Sequence, residues 1–105
     1  PDPKFATQLE LLREKVDDID RQLLETLSQR MHLVEQAGEY KKENNVAIFQ
    51  LERWKQIFEI RPEWGKSLKL DPNFVGEIFQ LIHAQSIDIQ ERILGKKYWK
   101  QGNHL

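Results

Sequence analysis

Apolar residues recur at positions 9, 12, 16, 19, 23, 27, 34 and 37, in steps of three, four or seven that keep one stripe of an α-helix in line. The rhythm predicts a first helix from about Thr7 to about Glu43. No proline interrupts it, and Gly38 costs such a helix only about 1 kcal/mol. At 1.5 Å per residue it is roughly 50 Å long, too long to fold back on a chain of 105 residues. It should therefore pair with something along its length.

Asn44 and Asn45 predict its end, and VAIFQ makes a short apolar connection. A second helix is expected from Leu51 to Ile60, with Leu51, Trp54, Ile57 and Phe58 inward. Pro62 should break or kink it, because a residue before proline avoids the helical region. One more helical turn fits in PEWGKSLKL. Asp71 as N-cap and Pro72 at the first helical position announce a third helix. Val75, Ile78, Phe79, Ile82, Ile89 and Ile93 form its apolar face; Gly95 is the expected stop, and KKYWKQGNHL a frayed tail. The class predicted is all-α, three helices per chain, with the domain over residues 7–94 between a linker or extension at 1–6 and a tail at 95–105.

Composition narrows the function. A formal charge of −1 argues against a general electrostatic grip on nucleic acid or an anionic membrane. No apolar run approaches the roughly 20 residues that span a bilayer. Without cysteine there is no disulfide or thiolate metal site, which fits a cytoplasmic location. His32, His83 and His104 share no metal-ligand spacing, so no metal is expected. The start PDPK, lacking an initiator Met, is expected of a processed product or, in preference, of an excised piece of a longer protein with a linker at its front.

Several polar residues share the apolar faces. Arg30 and Lys41, eleven residues apart, differ by a net rotation of only about 20° on helix one, and Arg13 lies at the stripe's edge. Ser86 and Gln90, four apart, share one side of helix three, and Arg53 opens helix two. Each has an ordinary reading: cations snorkel from stripe edges, and a core serine bonds the carbonyl four residues back. Together they supply cations and neutral donors with almost no carboxylates, a set suited to a small dianion. Arg30 and Lys41 are about 16 Å apart along the axis, whereas Arg13 is about 25 Å from Arg30. If helix one pairs antiparallel with its own copy about a two-fold axis near Leu23 and Leu24, the partner subunit's Arg13 falls between them. An isologous dimer with two composite sites explains both the overlong helix and the misplaced cations.

The stretches LREKVDDIDRQLLETLSQRM, EYKKE, LERW and FQLIHAQSIDIQ resemble, in order and spacing, the all-α chorismate mutases, over about residues 7–94. That resemblance implies an intertwined homodimer of three-helix chains that converts chorismate to prephenate without a cofactor. It implies that Arg30 and the partner subunit's Arg13 hold the two substrate carboxylates. Lys41 and Gln90 would donate to the ether oxygen of the breaking bond, while Arg53 and Ser86 line the rest of the pocket. Two positions depart from the family pattern: Gln50, where many members have an acid, and Trp54, where many have a Glu that meets the ring hydroxyl. A backbone N–H near Gln50 is the expected substitute for that contact.

The same fold hosts isochorismate-pyruvate lyases, which lack that Glu; the pair Ser86 and Gln90 favours the mutase. A non-catalytic, prephenate-sensing or dimerising module is the remaining alternative, though it leaves the cations on the stripe without a role. The PDPK start and the KKEN and ERW patterns also resemble mutase domains fused to DAHP synthase, the enzyme that opens the shikimate pathway. Such a partner is expected before Pro1.

Overall fold

The computed structural model describes the backbone of residues 2–102 and the side chains of residues 2–95. Three helices follow one another, α1 over Pro3–Glu43, α2 over Leu51–Ser67 and α3 over Pro72–Gly102. No strand occurs among the described residues, so the all-α class holds. The chain divides into two compact units, Pro1–His32 and Leu33–Leu105.

One capping device starts both α1 and α3. Asp71 Oδ1 accepts from the Asn73 N–H at 3.0 Å, with Pro72 at the first helical position, as predicted. Asp2 Oδ1 accepts from the Lys4 N–H at 3.0 Å in the same way, with Pro3 behind it. Helix α1 thus begins at Pro3, ahead of Thr7, inside the stretch expected to be a linker or N-terminal extension. Proline suits the first position because the N–H it lacks would have no partner in the helix there.

The helix ends are closed by residues in the left-handed region. Asn45, at φ 54°, follows α1, and the Val46 N–H reaches back to the Lys41 carbonyl at 2.9 Å. After α2, Lys69 at φ 64° lets the Leu70 N–H meet the Gly65 carbonyl at 2.9 Å. Both are six-to-one closures that satisfy carbonyls left open at a helix end.

Two expected boundaries are corrected. Pro62 lies inside α2, which continues to Ser67 instead of stopping at Ile60. Proline removes one backbone bond, and the packing of the following turn offsets it: Gly65 is buried against Val75, where a Cβ would come within 2.4 Å of Val75 Cγ2. Gly95 does not stop α3, because a glycine ends a helix by turning left-handed and no glycine among the described residues has a positive φ. The expected fraying falls on residues whose side chains, from 96 onward, and backbone, from 103 onward, lie outside the described residues.

In the unit Leu33–Leu105 the core centres on Ile57 and Val75, with Gly38 and Gly65 buried beside the helices they approach. Of the α2 residues expected inward, Ile57 is buried and Phe58 half-buried, whereas Leu51 and Trp54 stay exposed. In the unit Pro1–His32 the predicted stripe is present but open. Leu12, Val16, Ile19 and Leu23 are each more than half exposed.

Candidate active site

Lys41 lies in the last turn of α1 and is partly buried. Its Nζ donates to the Ile48 carbonyl at 2.9 Å and to Gln90 Oε1 at 2.6 Å. Gln90, buried in α3, donates from Nε2 to the Ser86 carbonyl at 3.1 Å. An ammonium carries three donors and an amide nitrogen two, so one N–H remains on Lys41 and one on Gln90. Lysine cannot accept, which obliges the amide to present its oxygen to Lys41 and turn its nitrogen elsewhere. No carboxylate bonds Lys41 among the described residues, and burial holds its pKa below the ordinary value of 10.5.

Gly38 makes this contact possible. It stands one turn before Lys41, and a Cβ there would lie 3.1 Å from Ile93 Cδ1 and 3.2 Å from Gln90 Cγ. The missing side chain allows this end of α1 to approach α3 closely enough for Nζ to reach the amide.

Ser86 is buried and donates from Oγ to the Ile82 carbonyl at 2.8 Å, one turn back on its own helix. Lys41 and Gln90 are thus in contact, and Ser86 joins them through its backbone carbonyl, which accepts from the Gln90 amide. Arg53 and Gln50 are exposed and engaged locally. Arg53 Nη1 donates to Gln56 Oε1 at 3.3 Å, and Gln50 Nε2 donates to the Ala47 carbonyl at 3.1 Å. The backbone of Gln50 caps α2 without help from its side chain. Arg13 and Arg30 belong to the unit Pro1–His32, where Arg13 is exposed and Arg30 half-buried.

One partner of Lys41 had no signal in the sequence. The Ile48 carbonyl is a backbone group, which no residue type advertises. Arg61 holds its guanidinium 4.4 Å from the Trp64 ring centre and 5.9 Å from that of Phe79. Burial and then the nearby charge of Arg53 lower its pKa, so α2 presents two cations near one another. An open groove of about 490 Å³ lies along Glu35, Gln36, Glu39, Ile89, Arg92 and Ile93. Two carboxylates line it and Arg92 is paired with Asp88 at 2.7 Å, so this concavity is a poor host for a dianion.

The profile of chorismate mutase type II sequences matches residues 12–91, which contain all seven of these candidate residues. The chain belongs to that family. It is 32% identical over 86 residues to a bifunctional chorismate mutase/prephenate dehydratase of Buchnera aphidicola, covering 82% of this chain and 22% of that protein. The Escherichia coli protein of the same name is 29% identical over 93 residues, or 89% of this chain and 24% of that one. An isochorismate pyruvate lyase of Pseudomonas aeruginosa is 35% identical over 100 residues, covering 94% of this chain and 92% of the lyase. The chain thus spans under a quarter of the bifunctional relatives and nearly all of the lyase.

Proposed function

We propose that the chain rearranges chorismate to prephenate, and the observation that carries this reading is the contact of Lys41 with Gln90 in surroundings without a paired carboxylate. A [3,3] rearrangement needs no nucleophile, base or metal. As the C–O bond lengthens, negative charge grows on the ether oxygen. The remaining N–H of Lys41 and that of Gln90 are donors already oriented by other bonds, so they stabilise the developing charge without reorganising. They act more strongly on the transition state than on the substrate, which is the condition for acceleration.

The substrate's two carboxylates are assigned to Arg30 and the partner subunit's Arg13, whose planar forks suit bidentate pairing. Arg53 and Ser86 complete the wall, and the backbone near Gln50 replaces the contact that Trp54 cannot make. This assignment rests on spacing along α1 and on family resemblance. It requires an intertwined homodimer, in which a second copy covers the open stripe of the unit Pro1–His32. The setting proposed is cytoplasmic. No helix among the described residues is long and apolar enough to cross a membrane. The DAHP synthase partner rests on the KKEN and ERW stretches, whereas the bifunctional relatives above are named for a prephenate dehydratase.

A second reading, isochorismate-pyruvate lyase, is favoured by Trp54 and by the 35% identity to the Pseudomonas protein. Product analysis separates the two. Chorismate should be consumed to prephenate, with salicylate and pyruvate from isochorismate minor or absent. A higher efficiency on isochorismate would reverse the assignment, and no turnover of either, with a folded protein, would favour a non-catalytic module.

A further inference from the structure

The bonds that aim Lys41 have an anchor outside the set of groups assigned to the substrate. Its carbonyl partner, Ile48, lies between the Asn45 turn and the start of α2 at Leu51. A peptide unit is planar, so the Ile48 carbonyl and the N–Cα bond of Phe49 turn as one rigid body. The Phe49 ring meets the His83 ring edge-on, with centres 6.3 Å apart at 79°. His83 meets Phe58 of α2 in the same manner, at 5.7 Å and 76°, and Phe58 packs against Trp54 at 4.9 Å. Such pairs are directional, each worth about 0.5–1.5 kcal/mol beyond the area they bury.

His83 precedes Gln90 by seven residues, two turns of α3, so both project from nearly the same face. Lys41 is thus held by two acceptors that are both referred to α3. Gln90 supplies one directly, and the other belongs to the residue before Phe49, whose ring meets His83.

We propose that Phe49 and His83 are positioning residues for Lys41: their ring contact fixes the Ile48–Phe49 peptide plane, whose carbonyl takes one ammonium proton and directs the free one. The inference deepens the mutase reading and rests on it for its kinetic consequence alone. A purely structural role for the same rings would lower stability and leave the chemistry of Lys41 unchanged.

The test uses Phe49→Ala, whose site is about half exposed, together with His83→Ala and the ring-retaining His83→Phe. Two readouts are taken on the intact chain: steady-state kinetics with chorismate, and titration of the Lys41 side chain by carbon NMR, with Lys41→Arg assigning the signal. Phe49→Ala and His83→Ala should lower kcat about tenfold with KM changed less than about twofold, since a misaimed donor harms the transition state most. The Lys41 midpoint should rise toward 10.5 in both as water reaches the ammonium, and His83→Phe should restore both readouts.

An unchanged Lys41 midpoint in Phe49→Ala would overturn the proposal, as would a midpoint that moves equally in His83→Phe and His83→Ala. If His83→Ala does not fold, Phe49→Ala and His83→Phe decide alone. A midpoint that moves as expected in a chain without mutase activity would sink the functional reading and leave the positioning role standing.

Discussion

The two units of the chain treat their apolar residues in opposite ways. In Leu33–Leu105, Ile57 and Val75 are buried, Gly65 is pressed against Val75, and Lys41 reaches Gln90 within the same unit. In Pro1–His32 an equally regular stripe leaves Leu12, Val16, Ile19 and Leu23 open to solvent. One unit contains the surface that its apolar face needs, and the other does not. The same division separates the proposed chemistry: the donors for the ether oxygen are in the first, and Arg13 and Arg30 are in the second. In the proposed dimer, a second copy serves this open, cation-bearing stripe as both core and co-catalyst.

The largest expected effect sharpens this contrast. Lys41→Ala should lower kcat/KM about a hundredfold to a thousandfold, the usual loss for one preorganised donor, while sedimentation still shows a dimer. Wild-type activity should also fall on the alkaline side. The ammonium is the active form, rising pH removes it, and a pKa held below 10.5 by burial brings that loss to lower pH than for an ordinary lysine. A pH profile flat beyond 10.5 would contradict the role of Lys41.

Leu23→Arg should act in the opposite sense, on assembly first. Placed near the proposed two-fold axis, it sets like charges against each other at a cost of several kcal/mol, enough to weaken association about a hundredfold or more. Sedimentation at micromolar protein should show monomer, and activity should follow the dimer fraction. A Leu23→Arg protein that remains fully dimeric would remove the stripe from the interface.

Gln90→Glu comes next. The new carboxyl stands beside Lys41, which lowers its pKa, and only its protonated form can donate to the ether oxygen. Activity should fall with rising pH through that pKa, approaching about a tenfold loss per unit above it. Identical profiles for variant and wild type between about pH 4 and 8 would mean that Gln90 does not face the reacting oxygen.

Gly65→Ala has the smallest effect and falls wholly within the self-packed unit. A methyl group aimed 2.4 Å from Val75 Cγ2 must displace it; overpacking of this kind costs about 1–3 kcal/mol. Thermal melts should register it, with kcat nearly unchanged.

What could be read from the sequence depended on whether the deciding group was a side chain in a local pattern. Asp71 and Pro72 announced α3 because cap and proline adjoin an apolar rhythm. The identical pair Asp2 and Pro3 gives no such signal, because the apolar rhythm starts later, at residue 9. Pro62 and Gly95 are local breakers by type, yet neither ends its helix. Pro62 was tolerated because packing around Gly65 carries α2 onward, and Gly95 because it keeps an ordinary helical backbone. The contact of Lys41 with Gln90 joins polar side chains that the sequence already places on or beside apolar stripes. The Ile48 carbonyl was not legible in this way, since its role depends on where the connection lays its backbone.

The most direct measurement of the shared-site claim mixes two inactive proteins, Arg13→Ala and Lys41→Ala, and assays chorismate consumption after subunit exchange is confirmed. Random assortment makes about half the dimers mixed, and each has one site with both Lys41 and the partner subunit's Arg13 intact. About a quarter of wild-type activity should therefore return. No recovery in a fully exchanged mixture would place Arg13 in the site of its own chain and contradict the composite site.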